Sequence, residues 1–387
     1  MHEPLSIDLD ALTDDLNAVR KELRAEAGPD DLEHLYKMER WGRLCSIIGY
    51  ATCWIPFNVI SAVLMGQGNV TRWAMIAHHV LHRGYDKVPG VPDRYTSKHF
   101  AQGWRRPIDW LDWIDPEAWV QEHNFLHHYM LGEERDPDQP EFNFDFLQKW
   151  WIPVPARYMA FVFFMFTWKY LYYAPNTAME LTQIHQRRDK REVEEELNLF
   201  HPRLWMPWTE SGRRVWFRSF LPYGIVRFGL MPLPFLLLGP WFYAAALANI
   251  VLAEAYANVY SFIIIVPNHA GDDLYRFDRP IDGRKEFYLR QIVGSVNFAT
   301  GNDRVDFLHG WLNYQIEHHV WPDMSMLQYQ KAQPRVQALC EKHGVPYLQE
   351  SVFKRLGKLA DIAVGKATMP YFPGIAEAPA PAPAAAE

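Results

Sequence analysis

The sequence predicts an all-α integral membrane protein, a bundle of apolar helices beneath a large polar cap. Three observations predict it. Four long apolar runs are spread along 387 residues, and the longest match the roughly 20 residues that a bilayer crossing needs. Aromatic residues reach 15%, with 16 Trp, 19 Tyr and 23 Phe, and Trp and Tyr concentrate where membrane meets water. The sequence between the runs is strongly polar, so a mean hydropathy of −0.25 averages a few spans with a hydrophilic body. The same arithmetic excludes other classes. An apolar content of 49% with 22% charged residues is not that of a disordered chain. A net charge of −7 argues against a nucleic-acid partner, which calls for a basic face. Cys45, Cys53 and Cys340 are too few and too irregularly spaced for a disulfide framework or a zinc–thiolate site.

Taken in order, residues 1–40 are polar and lack the apolar core of a secretory signal. They form the first of three expected regions, the others being a membrane domain over 41–350 and a C-terminal region over 351–387. Residues 44–65 run for 22 positions without a charge, with a kink expected at Pro56. This run is read either as one span or as part of a hairpin over roughly 41–80, and the hairpin is preferred. Residues 83–150 contain no span. Residues 151–173 are apolar and aromatic but carry Arg157 and Lys169, so they either span or lie in the interface. Runs 223–238 and 241–267 are separated by Gly239-Pro240 and read as a helical hairpin. Arg227 and Glu254 inside it are expected to face protein or water. The closing AEAPAPAPAAAE reads as a disordered tail.

Histidine is the second compositional excess, and nine of the 16 fall into tight groups. HHVLH holds His78, His79 and His82. EHNFLHH holds Glu122, His123, His127 and His128. QIEHH holds Gln315, Glu317, His318 and His319, and His269 sits in VPNHAG. On a helix, positions i and i+4 share a face, so His78 with His82, and His123 with His127, each offer two imidazoles to one metal. Consecutive histidines point about 100° apart around a helix, so His127/His128 and His318/His319 suit two neighbouring metals. Neutral imidazole suits Fe, Zn, Cu and Ni, and a structural zinc takes only four ligands. The count therefore points to two metals. A single HxxxH is expected by chance about once in two such chains, but HxxxHH only about once in forty. The scattered His2, His34, His99, His185, His201, His309 and His343 are read as ordinary surface or hydrogen-bonded residues.

At these groups the chain resembles the membrane fatty acid desaturase superfamily, whose histidine boxes read HxxxH, HxxHH and QxxHH or HxxHH. QIEHHVWP is the strongest match and looks like the third box of front-end acyl desaturases. The resemblance covers roughly residues 45–350. Three features depart from it. The second box is one residue longer than HxxHH and is closer to the EHNxGHH of alkane hydroxylases. His79 stands where the family often has Asp or Glu. No HPGG haem-binding motif appears. The resemblance implies a di-iron site in a cytosolic cap, with His78, His82, His123, His127, His128, His269, His318 and His319 as ligands. His79, Asn268, Glu122, Glu317 and Gln315 are candidate further ligands or supports, and Asp136 and Asp138 are further carboxylates that could orient imidazoles.

The boxes must meet on one side of the membrane. Boxes two and three are separated by three apolar runs, so one of those runs must not cross, and residues 151–173 are the best candidate. The implied reaction is O2-dependent desaturation of a fatty acyl chain in a lipid or thioester, with two irons. An external ferredoxin- or cytochrome-type donor and its reductase would supply electrons, and the catalytic face would be cytoplasmic. The alternatives are a related di-iron hydroxylase, ketolase or decarboxylase, and, from another class, a membrane metal-binding protein or transporter. Lys87, Trp104, Arg105 and Arg106 are read as either a head-group site or ordinary membrane-surface anchors.

Overall fold

The computed structural model describes residues 4–149, 151–194 and 197–375. The expected disordered tail, 376–387, lies outside the described residues. The fold is all-α, and β-structure among the described residues is limited to isolated bridges such as Arg276 with Tyr371.

The 22-residue run at 44–65 does not form one helix. Helix Pro29–Thr52 ends at Cys53, and a second helix starts at Val59, where the Asn58 side chain accepts from the Ser61 N–H and caps it. Pro56 sits in this reversal and kinks nothing. The second arm continues from Val59–Val70 through a π-helical stretch, Thr71–Ala77, into His78–Leu81. The arms pack closely because small residues face each other. A Cβ on Gly68 would fall 2.0 Å from Ser46 Oγ, and one on Gly49 would fall 2.6 Å from Met65 Cγ. The hairpin's last turn thus presents the first histidine group at its inner end.

The aromatic segment is one long helix, running from Val154–Trp168 through the π-helical Lys169–Tyr173 into Ala174–Arg188. It crosses helix Pro240–Ile265 over a short stretch. Phe161, Phe164 and Trp168 all pack on Phe262, and Trp168 Nε1 donates to the Asn258 carbonyl. Two antiparallel spans would instead pair along their lengths. Lys169 is not a basic anchor at a surface. Its ammonium is buried, 2.7 Å from Asp112 and 4.4 Å from the centre of the Trp73 ring.

Among the described residues, 202–238 and 240–269 are the two helical segments long and apolar enough to cross a membrane. Gly239, with φ of 126°, turns the chain between them, a conformation open to glycine. Glu254 accepts from Trp113 Nε1 (2.6 Å) and Tyr223 OH (2.7 Å), and Arg227 lies 3.6 Å away. Both charges therefore face protein, as expected for charges inside apolar helices. Large apolar side chains stand exposed on both hairpins, with Phe57 at 88% and Leu237 at 92% exposure. A soluble protein rarely leaves such a belt uncovered.

The polar cap closes the other end. Helix Leu9–Glu26 buries Leu12, Leu16 and Leu23 in the main core. C-terminal helix Val352–Ala363 is pinned by Arg355, which is fully buried, bonds Asp273 and donates to the Ala270 carbonyl at 2.6 Å. That contact fixes the turn carrying His269.

Candidate metal centre

Four separate pieces of chain bring their histidines together. His78, His82, His123, His128 and His318 offer ring nitrogens that all lie within 4.8 Å of one another. His78 Nε2 lies 3.0 Å from His318 Nε2 and 3.2 Å from His123 Nε2. A second group, His127, His269 and His319, meets the same limit. The groups touch, since the His128 and His319 rings stack at 4.1 Å. His123, His127 and Asp138 form a third overlapping set between them.

The extra residue in the second box has a structural explanation. Glu122–His127 is a π-helical turn. Such a turn closes on i→i+5, so His127 and His128 straddle His123 as i+3 and i+4 would in an α-helix. The longer spacing therefore delivers the same convergence. His123 stacks on His127 at 5.3 Å and meets His128 edge-on at 5.0 Å.

Each outward ring nitrogen has an orienting partner where the fold supplies one. His127 Nδ1 is 2.9 Å from Asp136, His319 Nδ1 is 2.9 Å from Gln291 Oε1, and His318 Nδ1 is 3.2 Å from Tyr329 OH. His269 Nδ1 meets the Gly294 carbonyl at 3.0 Å, and His269 Nε2 meets Gln315 at 2.9 Å. Gln291 also donates to the His128 carbonyl, tying two boxes together. Fixing the outer nitrogen leaves the inner one free to face a metal. Asp136 was among the expected carboxylates, whereas Gln291, Tyr329 and Gly294 escaped sequence reasoning because they arrive from distant helices at no fixed spacing.

The other expected residues occupy distinct positions. His79 belongs to none of the three sets. Its Nδ1 meets the Met75 carbonyl at 2.6 Å, and its ring lies against Tyr329 and His318, so it supports the site from behind. Glu317 orients no imidazole and accepts from Asn297 and Tyr347, each at 2.8 Å. Burial pushes its pKa up to about 7. Glu122 lies beneath the second box, where burial and the charges of Asp138, Asp136 and Glu180 push it far above the usual carboxylate range. Asn268 donates to the Ile264 and Leu312 carbonyls and leaves its Oδ1 buried without a partner. Arg105 is taken by Asp109, Arg106 lies 3.7 Å from Asp115, and Lys87 lies 3.7 Å from Asp323. The structure does not gather them into one site.

The donor set fits metal. Burial, reinforced by neighbouring imidazoles, holds His128, His318 and His319 well below the ordinary histidine pKa, hence neutral and able to ligate. Burial also opposes charge on His127, but Asp136 more than offsets it and raises the basicity of that ring. His82 Nε2, His319 Nε2 and both ring nitrogens of His128 are buried with no hydrogen-bond partner. Each such atom costs about 1–3 kcal/mol, and a cation among them removes that cost. An apolar cavity opens on the group from one side. Trp73, Phe144, Phe164, Trp168, Tyr173 and Ile265 wall it, and His78, His123, His127, His269 and Asn268 form its polar end.

Comparison with known proteins agrees with this geometry. The family model described as fatty acid desaturase matches residues 53–351. The NADPH-dependent stearoyl-CoA 9-desaturase of Mycobacterium tuberculosis is 24% identical over 365 residues, covering 91% of this chain and 78% of that protein. The acyl-lipid (9-3)-desaturase of Physcomitrium patens is 35% identical over 101 residues, 26% of this chain and 18% of its own. The Delta(8)-fatty-acid desaturase 1 of Arabidopsis thaliana is 32% identical over 87 residues, 22% of this chain and 18% of its own.

Proposed function

The chain belongs to the fatty acid desaturase family and is an oxidoreductase of fatty acyl chains, and from that premise we propose O2-dependent desaturation at two histidine-held irons. The observation that carries this reading is the meeting of two imidazole groups at the polar end of one apolar cavity. An unactivated methylene is inert to acid–base or nucleophilic side chains, and the bound irons supply, with O2 and electrons, the oxidising power that side chains lack. His78, His82, His123, His128 and His318 would hold one iron. His127, His269 and His319 would hold the other, with Asn268, Gln315 and Asp138 beside them. Trp73, Trp168 and Tyr173 grip the acyl chain and exclude water from its reacting carbons. Position within that grip decides between a double bond and an alcohol, because in the first outcome the neighbouring carbon loses a second hydrogen and in the other the same carbon gains an oxygen.

Both hairpins sit in the bilayer through their exposed apolar belts, and helix 154–188 lies across their cytoplasmic end. With that helix in the interface, the crossings between boxes two and three number two, and all boxes face the cytoplasm. The substrate is a long acyl chain in a thioester or membrane lipid, as the relatives' names suggest for those proteins. A ferredoxin- or cytochrome-type donor, reduced through an NADPH-linked reductase, provides the electrons. The alkane-hydroxylase-like spacing of EHNFLHH favours hydroxylation as the second reading.

Expression in a host lacking the product, followed by lipid profiling, tests both. New alkenes that disappear in His127→Ala support desaturation. An alcohol carrying oxygen from O2 selects the second reading. Iron-loaded protein that leaves every acyl chain unchanged under reducing, aerobic conditions overturns both.

A further inference from the structure

The apolar cavity is not the only approach to the histidine cluster. A separate, wider cleft reaches it from the polar cap, and its floor is His82 and His128. These two imidazoles do not line the apolar cavity, and their rings lie 4.5 Å apart. The cleft is therefore the route by which solvent, or a molecule in it, comes nearest to the five-histidine group without displacing acyl chain.

The rim has two properties that suit a docking surface. First, it is basic on a chain whose net charge is −7. Arg20, Arg83 and Arg284 line it against a single carboxylate, Asp323, which already pairs with Arg20 at 2.7 Å and with Arg24. Among the described residues Arg284 meets only Tyr288, at its hydroxyl and ring, and the exposed side chain of Arg83, at φ +66°, makes no ion pair or hydrogen bond. A non-glycine residue rarely holds that backbone conformation, and here it places a free guanidinium next to His82. Second, Phe125 and Tyr129 stand exposed on the turns that carry His127 and His128, with Tyr129 against Phe287 at 5.8 Å. Exposed aromatics beside arginine are the composition of protein-docking surfaces.

We infer that this cleft docks an acidic one-electron carrier protein and is the entry point for electrons. The inference rests on the desaturase reading above. Converting CH2–CH2 to CH=CH with one O2 releases two waters, and the balance requires two further electrons and two protons. A one-electron carrier supplies the electrons in two visits and leaves oxidised each time. Repeated visits suit a small, charge-steered contact that forms and dissociates quickly. The cleft lies apart from the acyl cavity, so substrate and carrier occupy the protein together.

The test uses the full iron-loaded chain in lipid nanodiscs, with an acidic [2Fe–2S] ferredoxin and its NADPH-linked reductase as probe. Dithionite-driven turnover serves as the reference. In the pair Arg83→Glu/Arg284→Glu the KM for ferredoxin rises about tenfold or more, its dependence on ionic strength flattens, and the KM for acyl substrate holds. Phe125→Glu, which leaves the arginines in place, raises the same KM. Ferredoxin KM unmoved in both variants overturns the inference. So does a shift in the acyl-substrate KM instead, which assigns the cleft to the substrate's head group. Wild-type turnover with dithionite but no saturable response to ferredoxin overturns it too. Absence of turnover with dithionite as well overturns the desaturase reading itself, and the docking inference with it.

Discussion

The buried pair Lys169–Asp112 offers a quantitative test of how the long aromatic helix is held. Its ammonium and carboxylate are 2.7 Å apart, with side-chain exposures of 2% and 4%. At an effective dielectric constant near 20, their attraction is about 6 kcal/mol, and the Trp73 ring 4.4 Å from the ammonium adds about 2 kcal/mol. Desolvation offsets most of this. Removing only the lysine, as in Lys169→Met, leaves Asp112 charged, buried and unpaired, which costs about 3–5 kcal/mol. Replacing both, Lys169→Met with Asp112→Leu, removes the orphaned charge and returns most of that loss. At about 2.1 cal/mol/K per residue, a chain of 387 residues translates 3–5 kcal/mol into a fall in Tm of about 4–6 °C. Melting of the wild type, both single variants and the double variant, followed by intrinsic fluorescence in detergent, completes the cycle. A double variant as unstable as Lys169→Met would show that the lysine contributes packing alone and refute the argument.

Other perturbations follow from the same structure. Asn249 donates to the Cys53 and Ile55 carbonyls at 2.7 Å each, so Asn249→Leu orphans the hairpin reversal and costs about 1–3 kcal/mol, read as a lower Tm. A Cβ on Gly66 would lie 2.5 Å from Tyr256 Cδ1 and 2.8 Å from the Ala253 carbonyl oxygen. Gly66→Val therefore forces the two hairpins apart at a cost of about 1–3 kcal/mol, and iron analysis finds the metal content reduced. Gln315→His places a fourth imidazole beside His269, where the Gln315 amide now stands 2.9 Å away. This variant retains its iron, whereas Gln315→Leu binds it more weakly, as chelator competition reports.

Much of the site was legible because its signal is local. The His78/His82 pair and the doubled histidines need only helical periodicity to be placed, and they converge as that geometry implies, whereas His123 joins the larger group with His128 and His127 joins His269 and His319. Of the bystander histidines, His2 lies outside the described residues and others have protein partners. His343 pairs with Asp15, and His34 lies buried against Trp311 and near Asp303. What was illegible depends on chain reversal and distant contacts. The preferred hairpin over 41–80 is what the chain forms, but its reversal near Pro56 depends on Asn58 and Asn249, which cap and bond the bend. Lys169 looked like an interfacial anchor until Asp112, 57 residues away, proved to be its partner. The π-helical turn at Glu122–His127 reconciles the long second box with the family pattern, and spacing alone cannot reveal a change of helix type. Tyr329, Gln291 and the Gly294 carbonyl reach their imidazoles through the fold, and a single sequence holds no periodicity that would announce them.

On the proposed function, two irons sit in two adjacent, inequivalent histidine groups. Iron quantitation with Mössbauer spectroscopy on protein purified from 57Fe-grown cells measures this directly, in the wild type and in His319→Ala. Two irons per chain with two distinct ferrous signals are expected, with selective weakening of one signal in the variant, because His319 belongs to the three-histidine group alone. A single iron per chain, or zinc in place of iron with full lipid desaturation retained, would contradict it.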